Sequence, residues 1–295
     1  MVETPIPPGV ALTGLPELWP DANGQGVIIA VIDSGCDVNH PDLRQAIVGV
    51  RNFVPGQRAD DVADENGHGT HVAGTIAARG RLFGCAPGAG LLILKVFNAS
   101  GSCSNREIAL ALQYATSWRG PNGERVAVIN MSLGSPQSDP EIARAVKEAV
   151  AHGILVACAA GNEGDGRLET VELSYPAAYP EAVAVGAVDF GLKTCVFSNT
   201  NNQIDVAAPG FNVLSTWPGG GFAILSGTSM ACPHVSGFAA CLAQKFAKRV
   251  GRTPTEDELY SLLRTMTVDL GEAGIDAATG AGLISLVPRL VKSRQ

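Results

Sequence analysis

Five short runs of this chain are almost wholly apolar: Val27–Ile32, Leu91–Phe97, Val126–Met131, Ile154–Cys158 and Val183–Val188. None shows the alternation of a strand with one wet face, so each reads as a strand buried on both sides. Between them the spacing turns helical. Asn105–Trp118 repeats apolar residues at Ile108, Leu112 and Ala115. Asp139-Pro140-Glu141 supplies an N-cap, a proline at the first helical position and a first-turn acid, for a helix that runs to His152 and stops at Gly153. Thr255-x-x-Glu258 is a capping box for a late helix. Buried strands alternating with helices imply a mostly parallel sheet with helices on both faces, so the fold class is α/β. A chain of 295 residues can close one such core, and it carries no internal repeat or linker-like segment. The expected organisation is a single domain over 1–295, with an extended N-terminal arm at 1–20 and the core at 21–295. Gly161–Thr170 and Ala208–Gly221 read as loops near strand ends, where open α/β sheets bind ligands.

Composition narrows the function classes. Hydrophobic residues make up 46% and charged residues 17%, which excludes a disordered or tail-like chain. Lys and Arg number 21 against 28 Asp and Glu, a net charge of −7 that argues against nucleic acid and anionic membranes as partners. The longest apolar stretches, such as Ile154–Ala160, fall far short of the ~20 residues that span a bilayer. The first twenty residues hold no Lys or Arg and do not form a secretory signal. The seven cysteines are an odd number without a C-x-x-C pair, which fits small buried thiols of a reducing compartment better than a disulfide frame. The expected location is cytoplasmic; the alternative is a secreted chain whose signal and propeptide have been removed.

Three segments put a reactive side chain at a strand end or helix start. Asp33 closes the most apolar strand in VIDSGCD, where a carboxylate is costly unless bonded or paired. His68 lies in NGHGTHVAG, with glycines on both sides that permit close approach. Ser229, in SGTSMACPHVSG, stands at the start of an apolar helical stretch, where backbone N–H groups and the positive dipole end converge. Each residue alone has a bland reading as a cap or turn. Together they are the three types that acyl transfer needs: a nucleophile, a neutral imidazole to take its proton, and a carboxylate to orient the imidazole. Asn162, in AAGNEG, and the Ser229 backbone N–H supply two donors for an oxyanion. His68-x-x-His71 with Asp33 or Asp37 is a poor zinc site, because helical zinc proteases space their histidines i, i+4 around a glutamate.

VIDSGCDVNHPDL, NGHGTHVAGTIAA, VINMSLGS, AAGNEGDG and GTSMACPHVSG resemble the motifs of the subtilisin-like serine proteases, peptidase family S8, in that family's chain order. The resemblance runs from about Gly24 to about Ser285, and CAAGNEGDG with ELSYPAAYPEAVAVGAV looks closest to the intracellular subtilisins. It implies the subtilisin-like three-layer fold and a serine endopeptidase in intracellular protein degradation. By position, Asp33 orients, His68 is general base and then acid, Ser229 attacks, and Asn162 binds the oxyanion. The resemblance further implies that an extended protein or peptide substrate adds to an edge strand at Ser132, Leu133 and Gly134. Gly101 and Ser102 lie on a facing strand, and Ala159, Ala160 and Gly161 wall the pocket for the side chain before the scissile bond. Cys103 stands where a glycine is common. The chemistry needs no cofactor, and a structural Ca2+ is expected on the Pro180 and Ala182 carbonyls and the Asp205 carboxylate. Asp42 matches another calcium ligand of the family, but the loop that would complete that site is reduced to RGRLF between GTIAA and GCAP. A homodimer is also implied. An inactive peptide-binding relative is the non-enzyme alternative, which a fluorophosphonate probe would separate.

Overall fold

Ahead of the core the chain forms two short helices, α1 (Pro8–Leu12) and α2 (Leu15–Leu18), where an extended arm was expected. The reason lies in the prolines. Pro8 and Pro16 occupy the first turns of these helices, where a missing N–H leaves no bond unmade and the fixed φ suits the helix. The computed structural model describes residues 5–287, so the parts of the arm and core assigned to 1–4 and 288–295 lie outside the described residues.

The apolar runs become strands close to the expected bounds. They are β1 (Ile28–Asp33), β3 (Gly90–Lys95), β4 (Val126–Met131), β5 (Leu155–Ala159) and β6 (Val183–Val188). All residues of β1, β5 and β6 are buried. Four further strands, β2 (Ile47–Asn52), β7 (Ile204–Pro209), β10 (Thr267–Val268) and β11 (Leu283–Ile284), complete a nine-stranded sheet in the order β10-β11-β7-β6-β5-β4-β1-β3-β2. Its pairs are parallel except β10 with β11. The segment 208–221, expected as a loop, is largely a separate antiparallel hairpin of β8 (Val213–Trp217) and β9 (Gly221–Leu225). Its Gly/Pro-rich stretch 218–220 is only the turn, and those residues masked the strands on either side.

Helices cover both faces. On one lie α4 (Asn105–Ser117) and α5 (Pro140–Ala151), whose apolar stripes close one core with Ile32, Leu94, Ile129 and Val156. Asp139 caps α5 by accepting from the Glu141 and Ile142 amides at 2.8 and 3.1 Å. On the other face lie α3 (His68–Ala77), α6 (Thr228–Val250) and α7 (Glu256–Thr265), the last closed by the Thr255–Glu258 capping box. From Met230 to Gln244, α6 is buried on every side, as an all-round apolar helix must be. Phe238 is its largest fully buried residue; truncating such a side chain to alanine costs about 3–5 kcal/mol. This central helix starts at Ser229's end, so the most deeply held element of the molecule fixes the serine.

Candidate active site

Asp33 ends β1 with 1% exposure, and His68 opens α3. Gly69 lets them meet: a Cβ there would lie 2.2 Å from the Gly35 carbonyl oxygen and 3.2 Å from Asp33 Cβ. The result is a 2.8 Å hydrogen bond from His68 Nδ1 to Asp33 Oδ1, which also accepts from the Ser34 amide at 2.7 Å. That bond fixes the proton on Nδ1 and leaves the Nε2 lone pair free. Burial would lower the His68 pKa, but the Asp33 charge and hydrogen bond, with Asp64 behind them, outweigh it and raise the value above 6.5.

The serine side is built from β4 and α6. Register pairs Val31 with Asn130, so continuing two residues sets Asp33 beside Ser132. Ser229 Oγ donates to the Ser132 carbonyl at 3.1 Å, and Ser132 Oγ donates back to the Ser229 carbonyl at 2.8 Å. The latter bond exists because of Pro233. Its ring nitrogen has no proton for the residue four positions earlier, so the Ser229 carbonyl is left to a side chain. The Ser229 hydroxyl is thus parked on a main-chain carbonyl and makes no hydrogen bond to the imidazole in this structure. Such contacts often tighten only when substrate binds.

Asn162 Oδ1 accepts from the Thr228 amide at 2.9 Å and its hydroxyl at 3.1 Å, which turns the Asn162 NH2 group the other way. Gly227, at φ +153°, leaves a space that this NH2 and the Ser229 N–H share. A Cβ there would sit 3.6 Å from Asn162 Nδ2 and 3.7 Å from Ser229 N. As the second residue of α6, Ser229 has an N–H without an intrahelical acceptor. Two donors without an acceptor among the described residues therefore lie on the same side of Gly227, one of them on Ser229 itself, an arrangement able to hold a developing oxyanion.

The segments expected to hold peptide come together around a pocket of about 340 Å3, lined by Gly101, Ser102, Cys103, Leu133 and Gly134, with Tyr175 and Tyr179. Neither is an edge strand. Ser132, Leu133 and Gly134 lie just past the end of β4, and Gly101–Cys103 precede α4. Asn130 is paired on both sides and Met131 still pairs with Cys158 of β5, which is why the free main chain begins only after them. Ala159 ends β5 and Ala160 follows it, both small and buried, and the Gly161 amide donates to Thr228 Oγ1 at 3.2 Å.

Several supporting residues escaped the sequence reading. Asp64 accepts from Ser34 Oγ, the Asn66, Gly67 and Thr70 amides and Thr70 Oγ1 at 2.6–3.2 Å, binding the loop before His68 to the end of β1. Burial would raise its carboxyl, but those bonds more than offset this and hold it below the usual carboxylate range. Lys95 is 2% exposed and donates to the Ser34 and Ala63 carbonyls at 2.9 and 2.7 Å. The signals existed: an acid shortly before a helix start, and a lysine ending a buried strand. His71 is pushed down to about 4 by burial and bonds the Val213 carbonyl, so it ties α3 to the hairpin as a neutral ring. Cys232 is buried and pushed up to about 12 by burial, so it packs as a thiol beneath Asn130. All seven cysteines are unpaired, and only Cys103 is partly exposed.

The metal expectation meets a less open donor set. Asp205 Oδ1 accepts from the Tyr260 hydroxyl at 2.5 Å and Oδ2 from the Ala184 amide at 2.9 Å. Among the described residues no group of three His, Cys, Asp or Glu could hold a metal ion.

The model of the subtilase family, Peptidase_S8, matches residues 24–282. An intracellular serine protease of Paenibacillus polymyxa is 47% identical over 286 residues, covering 95% of this chain and 85% of the relative. The major intracellular serine protease of Bacillus subtilis (strain 168) is 45% identical over 276 residues, covering 90% and 85%. Subtilisin Savinase of Lederbergia lenta is 48% identical over 225 residues, covering 75% and 78%.

Proposed function

The chain belongs to the subtilase family and is a subtilisin-like serine endopeptidase, and on that premise we propose that Ser229 is its nucleophile, His68 its proton carrier, Asp33 the orienting carboxylate and Asn162 an oxyanion donor. His68 Nε2 takes the Ser229 hydroxyl proton as Oγ bonds to the scissile carbonyl carbon, and the carbonyl π pair moves to oxygen. The Asn162 side-chain amide and the Ser229 N–H hold that oxyanion, while Asp33 steadies the imidazolium. Collapse expels the amine, which leaves with the His68 proton, and an ester on Ser229 remains. Water, deprotonated by the same imidazole, attacks the ester, and proton return to Oγ releases the acid. What supports this reading most is the buried Asp33 carboxylate bonding His68 Nδ1 at 2.8 Å, which leaves Nε2 without a partner among the described residues. Cleavage of an unfolded protein by the purified chain, abolished in Ser229→Ala with unchanged circular dichroism, is the expected result; cleavage surviving that substitution refutes it.

The substrates are proteins or peptides, and we infer that they lie extended between 101–103 and 132–134. Those segments offer main-chain groups outside the sheet, so β-augmentation is open to them. The names of the two intracellular relatives and seven unpaired thiols support work inside the cell on cellular protein. The single domain and the homodimer belong to the same proposal, and sedimentation of Ser229→Ala protein tests the latter. Structural calcium on Pro180, Ala182 and Asp205 would use the lone pairs that Tyr260 and Ala184 leave on the carboxylate. Calcium-dependent melting of Ser229→Ala protein, lost in Asp205→Asn, supports that site; equal melting in calcium and chelator removes it.

A further inference from the structure

We propose that Arg81 is the built-in cation of the 79–83 loop: its guanidinium neutralises Asp42 and straps the loop to the β8–β9 hairpin, at a place where the family resemblance alone would imply a calcium ligand. Asp42 is 3% exposed, and a buried carboxylate needs compensation. Its Oδ2 accepts from the Arg81 and Leu82 amides at 2.9 and 3.0 Å. Its Oδ1 lies 3.8 Å from Arg81 Nε. The same guanidinium donates from Nη2 to the Gly220 carbonyl and stacks on the Phe222 ring at 4.6 Å. One side chain thus contacts the carboxylate, the hairpin turn and an aromatic face.

The site does not fit calcium. That ion takes about six to eight oxygens at roughly 2.3–2.6 Å. Here the loop folds back tightly, with the Arg79 amide on the Asp42 carbonyl at 2.7 Å and the Gly80 amide on the Leu82 carbonyl at 3.2 Å. The loop backbone also presses on the carboxylate, since a Cβ at Gly80 would come within 2.4 Å of Asp42 Oδ1. Amide hydrogens and a guanidinium point at the carboxylate where an ion would need further oxygens.

His40 completes the strap without adding charge to it. Its Nδ1 accepts from the Asp42 amide at 3.1 Å, which sets its proton on Nε2, and Nε2 donates to the Gly221 carbonyl at 2.9 Å. The His40 ring meets the Phe222 edge at 5.7 Å. The hairpin so held reaches the helix that carries His68: Ser215 Oγ donates to the His71 carbonyl and Thr216 Oγ1 to the Thr70 carbonyl, both at 2.7 Å. The consequence is a loop and hairpin whose order does not depend on free calcium.

The test uses Ser229→Ala, Asp205→Asn protein, which cannot digest itself and lacks the other candidate carboxylate. Its melting temperature should be the same in millimolar calcium and in chelator. Arg81→Met on that background should lower the melting temperature by about 2–4 °C. Asp42→Asn should do the same, and the double substitution should lose less than the sum, because each single change leaves its partner uncompensated. A calcium-dependent rise that Asp42→Asn abolishes would overturn the proposal. So would an Arg81→Met protein that melts like its parent.

Discussion

The two ends of the sheet present opposite kinds of concavity. At the carboxyl ends of β1, β4 and β5, a modest pocket of about 340 Å3 is lined by Leu133 and Gly134, next to the Ser132 carbonyl that Ser229 bonds, while Asp33 holds His68 and Asn162 holds Thr228. At the amino ends, a groove of about 1530 Å3 runs between the start of β4, the end of α5, the second half of α6 and the start of α7. Several of its polar groups answer one another. Arg252 forks onto Glu258 at 2.6–2.7 Å, Lys248 bonds the Asp21 carbonyl, and Glu124 closes its own turn through Asn122. The larger hollow is chemically quiet. What marks the smaller one is hydrogen-bonding capacity left unspent nearby among the described residues: a His68 Nε2 without a partner, a Ser229 N–H without an intrahelical acceptor, and a Ser229 hydroxyl held only by a main-chain carbonyl. Strand ends and a helix start bring such groups together, whereas the opposite end offers helix ends already capped by their own side chains.

The strongest way to break this contrast is at the base. His68→Ala should lower kcat by about 10⁶-fold, a magnitude set by subtilisin itself, where removing the histidine alone costs nearly as much as removing the whole triad. A loss of only tenfold would mean the hydroxyl is activated by something else. Asn162→Ala should lower kcat by roughly 10²–10³ with KM little changed, again the scale of the equivalent subtilisin residue. A change confined to KM would make Asn162 a ground-state contact.

The pH profile sharpens the account further. The base must be neutral, so kcat/KM should rise about tenfold per pH unit up to an apparent pKa above the ordinary histidine value of 6.5. Asp33→Asn should move that limb downward, since it removes the charge that holds the proton on His68. A limb unmoved by the substitution would contradict the assigned pairing. The smallest effect belongs to the quiet end. Burial, helped by Asp257 and Asp205, pushes Glu256 up to about 7. A carboxyl raised on folding favours the folded state below its unfolded pKa and loses that advantage as pH climbs through the folded one. Glu256→Gln should therefore leave kcat/KM unchanged and slightly raise the melting temperature above pH 7. A large fall in activity would make the groove part of the working site.

Much of the catalytic end was readable because its demands are local. The strand ending in Asp33, the glycine beside His68 and the helix start at Ser229 each show in a few adjacent residues. The core strands were readable for the same reason, since burial on both faces leaves an unbroken apolar run. What stayed hidden depends on distant partners. β8 and β9 were masked by the Gly/Pro turn between them. The segments at 101–103 and 132–134 look like strand continuations until the neighbours that end the pairing are known. Asp205 has the residue type of a calcium ligand, yet Tyr260, fifty-five positions later, occupies one of its oxygens. Asp64 and Lys95 show their purpose only once β1 and the loop before His68 lie side by side.

The central claim is that Ser229 alone is activated for attack, and reaction with a fluorophosphonate measures this without any choice of peptide substrate. The account predicts one equivalent of adduct per chain, located by peptide mass spectrometry on Ser229, lost in Ser229→Ala and slowed by orders of magnitude in His68→Ala. Full labelling of Ser229→Ala, or labelling of Ser229 at an unchanged rate without His68, would contradict it.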